Sequence, residues 1–338
     1  MRLLDIGERV IAYFTEQSFL VALSIVIDFA ILDKSYVLGF FLSYKLNFIK
    51  GAMNVFTTQQ GLLDLLILYS VSLIYYSLES LTNLGIGATI FHKRLVFKYP
   101  IESTSKYKLI FGRNLIKAFF LAEFINFAFV LAFRKFLQTA YDRAANLVVS
   151  GTDSDERRFQ GTPFLWSSII MYYSTFGLFL ILYLFIFPVT PTPRGSGSSA
   201  FDPYTFFNEI FSNNLSLDLY QYVLGGFTLF VGTFVNLFNS NSLETVVLSS
   251  LITGSMTIST LKYILPQFIP ETMGYVFGIS VSMMIADLIL GYFQSALRTE
   301  KISYFNHKSG RQIKEAITFL GISVVLLVIG AVIETWVG

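Results

Sequence analysis

The stretch ILPQFIPETMG, residues 264–274, lies between two apolar runs at 243–265 and 271–296, each long enough to cross a bilayer. Pro266 and Pro270 lack the backbone N–H that a helix interior needs, so together they predict the end of one helix and the start of the next. Glu271 then falls in the first turn of the following helix, where a carboxylate meets the positive end of the helix dipole and accepts free N–H groups. The spacing predicts a rigid turn at Pro266, Gln267, Pro270 and Glu271. The functional alternative has Gln267 and Glu271 dipping into the bilayer to meet a partner or an ion.

Composition sets the solvent around that turn. Of 338 residues, 54% are hydrophobic and only 14% charged, with 36 Phe and 19 Tyr. A soluble domain of this length does not carry such a balance, and the chain reads as a polytopic membrane protein. A hydrocarbon core of about 30 Å takes roughly 20 helical residues to cross. Suitable windows fall at 18–44 (interrupted by Asp33 and Lys34), 61–91, 115–133, 164–187, 217–238, 243–265, 271–296 and 313–337. The opening MRLLDIGERVIAYFTEQ lacks the basic start and cleavage site of a signal peptide and reads as an interfacial helix leading into an uncleaved first span.

Lys and Arg concentrate in 92–117, 134–162 and 297–314, whereas 191–216 holds only Arg194. The positive-inside rule places all three basic segments in the cytoplasm. A single crossing at 115–133 would separate the first two, so either that segment is re-entrant or interfacial, or one basic loop faces out. The C-terminal half reads consistently, with 191–216 outside, 297–312 inside and the C-terminus outside. FDPYTFFNEIFSNNL (201–215) follows the outer loop, with Asp202 as N-cap and Pro203 at the first helical position. Phe206, Phe207, Ile210 and Phe211 share one face and Asn208, Glu209 and Asn213 the other, as expected of a helix lying in the membrane surface or packed on neighbouring loops.

The run IFSNNLSLDLYQYVLGGFTLFVGTFVNLFN (210–239) carries an Asn pair, Asn213 and Asn214, followed by Gly225, Gly226, Gly232 and Thr233 and closing at Asn239. With the Pro266 and Glu271 spacing and with Ile333 and Glu334 near the end of the last helix, it resembles the stage II sporulation protein M family over about residues 160–338. Gln267, Phe268 and Ser240 depart from the family's His and two Gly positions. The resemblance implies a five-helix membrane domain at 160–338 beside an N-terminal membrane region at 1–150. It also implies scaffolding, since the sporulation member anchors and organises cell-wall hydrolases without being one.

Gly274, Gly278, Ser282 and Ala286 repeat every four residues, a smooth ridge that lets a second helix approach closely. Its partner is either this chain's own helices or a second copy. Ionisable groups at mid-membrane cost about 3 kcal/mol on insertion scales, so each wants a partner or water. Asp28, Glu79, Glu123 and Asp287 are the deep candidates, and Asp64 and Glu334 lie nearer the predicted ends. The basic segment 92–117 is suited to anionic headgroups and resembles the cytoplasmic coupling segment of type-2 exporter permeases, which docks on an ATPase subunit.

There is no cysteine, and the only histidines are His92 and His307, so thiolate and histidine metal chemistry is not expected. No phosphate-cradling loop, paired-His motif or nucleophile elbow occurs. The expected protein is all-α, a polytopic transmembrane bundle of roughly seven to eight membrane helices with interfacial helices. It is expected to sit multi-pass in the cell membrane, without enzymatic activity, cofactor or nucleic-acid partner. Its expected partners are the lipid bilayer and other membrane or surface proteins, a second copy where the ridge serves one, and an ATPase under the rival reading of an exporter permease.

Overall fold

The computed structural model describes residues 2–3, 6–82, 84–91, 93–97, 99, 103–119, 139–151, 161–186, 203–228, 230–250, 258–297 and 302–336. The chain divides into two compact units, Met1–Ser167 with Asp287–Arg311, and Ser168–Ala286 with Gln312–Gly338.

The first unit opens with strand β1 (Arg2–Leu3) and helix α1 (Ile6–Leu32). α1 absorbs the expected interfacial start and the head of the 18–44 window into one helix. It stops at Asp33, whose φ of 58° is left-handed. Ser35 then caps α2 (Tyr36–Thr57) by accepting the Leu38 N–H. The 18–44 window is therefore two helices, because Asp33-Lys34-Ser35 provides a break and an N-cap. Helices α3 (Gln59–Thr82) and α4 (Ile86–Ile90) follow. The basic segment forms strand β2 (Lys93–Phe97) and helix α5 (Ser103–Lys117), and beyond it lie α6 (Ala140–Ala144) and strand β3 (Leu147–Gly151). β3 pairs antiparallel with both other strands, in the order β1-β3-β2, running from Lys93 opposite Gly151 to Phe97 opposite Leu147. A scan for long apolar windows passes over strands this short.

Helix α7 (Thr162–Ile181) continues as a π-helical turn at Leu182–Ile186. In the second unit, α8 (Pro203–Ser216) buries Asn214 and half-buries Phe206, Phe207, Ile210 and Phe211, leaving Asn208, Glu209 and Asn213 exposed. It runs into a π-helical turn (Leu217–Val223), a 3-10 turn (Leu224–Thr228) and α9 (Val231–Ser250). The 217–238 window is thus not one straight crossing. Gly226 is pressed so closely on the backbone at Ser282 that an added Cβ would stand 2.5 Å from the Ser282 carbonyl oxygen. Non-α backbone is tolerated at membrane depth only where protein covers it.

The expected turn at Pro266, Gln267, Pro270 and Glu271 is absent. Helix α10 (Ile258–Leu297) is 40 residues long and carries both prolines inside it. Prolines four residues apart remove donors on one side of a helix, and membrane helices tolerate the loss because neighbouring groups re-satisfy the freed carbonyls. The last helix is α11 (Ile302–Trp336). Among the described residues five helices are long and apolar enough to cross a bilayer: Ile6–Leu32, Gln59–Thr82, Thr162–Ile186, Pro266–Ala296 and Ser309–Trp336. That is fewer than the seven to eight expected, and most of the 115–133 window lies outside the described residues.

Candidate functional site

Within the first unit, buried charges gather where α1, α3, α5 and α6 meet. Lys117 Nζ lies 3.3 Å from Glu16 Oε2 and 3.4 Å from Glu79 Oε2, and 3.6 Å from the Tyr76 ring centroid. The Tyr76 hydroxyl accepts from Gln17 Nε2 at 2.9 Å. Asp142 accepts from Arg9 Nη2 and Arg113 Nε, each at 2.7 Å. Asn114 Nδ2 donates to the Tyr76 carbonyl at 3.1 Å, fastening α5 to α3. Three carboxylates thus face three cations, all at most 8% exposed. Burial pushes the Asp142 carboxyl up, but the Arg113 and Arg9 guanidiniums outweigh it and hold the group at about 2. Burial acts to lower Arg113, yet Asp142 beside it raises it above the ordinary guanidinium range.

The deep acids of the same unit serve helix ends and packing. Asp28 accepts from Ser35 Oγ at 2.8 Å, and Asp64 accepts the Tyr36 N–H. Both carboxylates therefore sit at the N-terminus of α2, where free N–H groups and the dipole favour negative charge. Asp287 lies against Gly7, where an added Cβ would stand 2.7 Å from the Asp287 Cα.

In the second unit, Asn214 Nδ2 donates to Glu271 Oε1 at 2.8 Å. Glu271 rests on Gly330 of α11, where an added Cβ would come within 2.5 Å of its Cγ. The small-residue ridge of α10 is used internally. Gly274 meets Leu327 and Ser323 of α11, Gly278 meets Asp218, and Ser282 Oγ lies 2.6 Å from Thr233 Oγ1. Ala286 is buried, and Ser280 Oγ lies 2.8 Å from Ser168 Oγ. A family model described as stage II sporulation protein M matches residues 118–338.

The chain belongs to that family. The match extends upstream of 160, so the stage II sporulation protein M region also takes in α6 and β3 of the first unit. Neither the curated proteins nor the solved structures yield a match. Asn214 and Glu271, two of the residues that carry the resemblance in sequence, touch although 57 residues separate them in the chain. Glu334 lies half-buried one turn beyond Gly330. Pro270 is buried, Gln267 half-buried and Pro266 exposed within α10.

Glu79 is brought to Lys117, while Glu123 lies outside the described residues. Among the described residues no group of three or more His, Cys, Asp or Glu is placed to hold a metal ion. Sequence reasoning passes over Arg9, Glu16, Arg113, Lys117, Asp142 and Asp218. A signal existed for some of them: Arg113 and Lys117 stand four apart, as Arg9 and Glu16 stand seven apart, so each pair shares a helix face. Asp218 sits at the edge of the 217–238 window and escapes a search for charges at window centres.

Proposed function

We propose that this stage II sporulation protein M family member is a non-enzymatic, multi-pass scaffold or anchor subunit in a complex that organises or remodels the cell-envelope membrane. The observation that carries this reading is where the acids go among the described residues. Glu79 pairs with Lys117, Asp64 accepts the first N–H of α2, Asp28 holds the hydroxyl of its N-cap Ser35, and Asp287 packs on Gly7. A path for protons or substrate needs such acids to face water or a cavity. Within the first unit, a cavity of about 180 Å³ is lined instead by apolar side chains, among them Val21, Phe41, Val55 and Leu68.

The rival is an exporter permease coupled to an ATPase through residues 92–117. Cross-linking in intact membranes, followed by gentle solubilisation and native mass measurement, separates the two. A stable assembly with other membrane or surface proteins supports the scaffold. A lone monomer under several mild extraction conditions overturns it, and a co-purifying ATPase with ATP-driven efflux replaces it with the permease.

A further inference from the structure

Asp142 and Asp218 are both fully buried, but they keep different company. Asp142 has two guanidiniums 2.7 Å away. Asp218, in the π-helical turn Leu217–Val223, meets Ser323 of α11 and Gly278 of α10, neither of them charged. Its Oδ2 lies 2.8 Å from Ser323 Oγ, and the same hydroxyl lies 2.9 Å from the Gly274 carbonyl oxygen. A serine hydroxyl carries one proton, and a carbonyl has none to give. If Asp218 were ionised, two acceptors would compete for that single proton. With a proton on Oδ2, both contacts are filled: the carboxyl donates to Ser323 Oγ, and Ser323 donates to the Gly274 carbonyl.

The other carboxyl oxygen gives a second, independent indication. Oδ1 is buried without a hydrogen-bond donor, pressed against Gly278 at a place that an added Cβ would occupy. The carbonyl oxygen of a neutral acid tolerates such a site far better than an ionised oxygen, which needs donors or a cation when water is excluded. We propose that Asp218 is a proton-binding site: it holds a proton at neutral pH and, as a hydrogen-bond donor, ties the π-helical turn through Ser323 to the Gly274 carbonyl of α10. Gly278 clears the space in which the acid lies against that helix, and Gly274 lets Leu327 and Ser323 of α11 come close beside it. This relay is independent of the scaffold reading, since it concerns how the second unit is held together.

Infrared difference spectroscopy on the full chain in lipid at neutral pH tests it. The wild type should show a protonated-carboxyl C=O band, shifted in heavy water, that Asp218→Asn removes. Ser323→Ala should move the same band to higher frequency, because the acid loses its acceptor. Loss of carboxylate intensity in Asp218→Asn, with the protonated band intact, overturns the proposal. If Asp218→Asn fails to insert, the folded Ser323→Ala variant decides alone, and an unshifted band overturns the proposal there too.

Discussion

Lys117 stands between Glu16 and Glu79, 3.3 and 3.4 Å away, so replacing it by Met would leave two buried carboxylates facing each other without the cation that holds them. Breaking a buried pair by removing one partner costs about 3–5 kcal/mol, whereas replacing all members by neutral groups of similar shape is often tolerated. Lys117→Met should therefore lower the thermal midpoint in detergent strongly, and adding Glu16→Gln and Glu79→Gln to it should recover much of the loss. Lys108→Met, at an exposed position of α5, is the control and should melt like the wild type. A single Lys117→Met variant as stable as the wild type would mean that the network does not fasten α5 to α1 and α3. The sequence shows that Glu79 needs a partner but not which one. Lys117 lies 38 residues from Glu79 and 101 from Glu16, and no local pattern encodes pairing over such separations.

At the scale of elements, what was legible in the sequence is what a helix encodes locally. The ridge of Gly274, Gly278, Ser282 and Ala286 is a period-four pattern within one helix, and it is the face that meets α11, Asp218 and Thr233. The two faces of α8 were legible for the same reason. The turn at Pro266–Glu271 was misread because the rule that proline ends a helix weighs one missing donor against water, and bilayer helices keep their remaining backbone bonds even beside two prolines. Because the chain has no cysteine, two can be introduced cleanly for spin labelling, at Thr260 and Tyr292 on either side of the prolines. At 1.5 Å per residue, a continuous α10 puts the two backbones about 48 Å apart, and a hairpin roughly half that. A pulsed electron–electron resonance distance near the longer value is expected in lipid. A short one would restore the turn and remove the continuous helix on which the ridge contacts depend.

Across the whole molecule, the placement of aromatic side chains predicts where the chain would meet the bilayer surface. Tyr204 is 73% and Trp336 50% exposed, yet their rings stand 6.1 Å apart edge to face. Phe207 joins them, 5.5 Å from Trp336. Tyr and Trp collect at the headgroup level because one part of each ring system is apolar and the other seeks water. The span Ser309–Trp336 holds 28 residues, about 42 Å of helix, close to the full bilayer thickness with headgroups. That length predicts Trp336 at one interface, with α8 along the same surface and its half-buried Phe207 and Phe211 on the side away from water. The chain has two tryptophans, and Trp166 is also exposed, so the reading is taken in a Trp166→Phe background. In vesicles of brominated phospholipids, Trp336 fluorescence should be quenched more by bromines near the headgroup than by bromines near the chain end. Stronger quenching from the deep bromines would place this corner inside the hydrocarbon. There the exposed Asn208, Glu209 and Asn213 of α8 would have no water, so α8 could not be an interfacial helix and the end of α11 could not mark the membrane boundary.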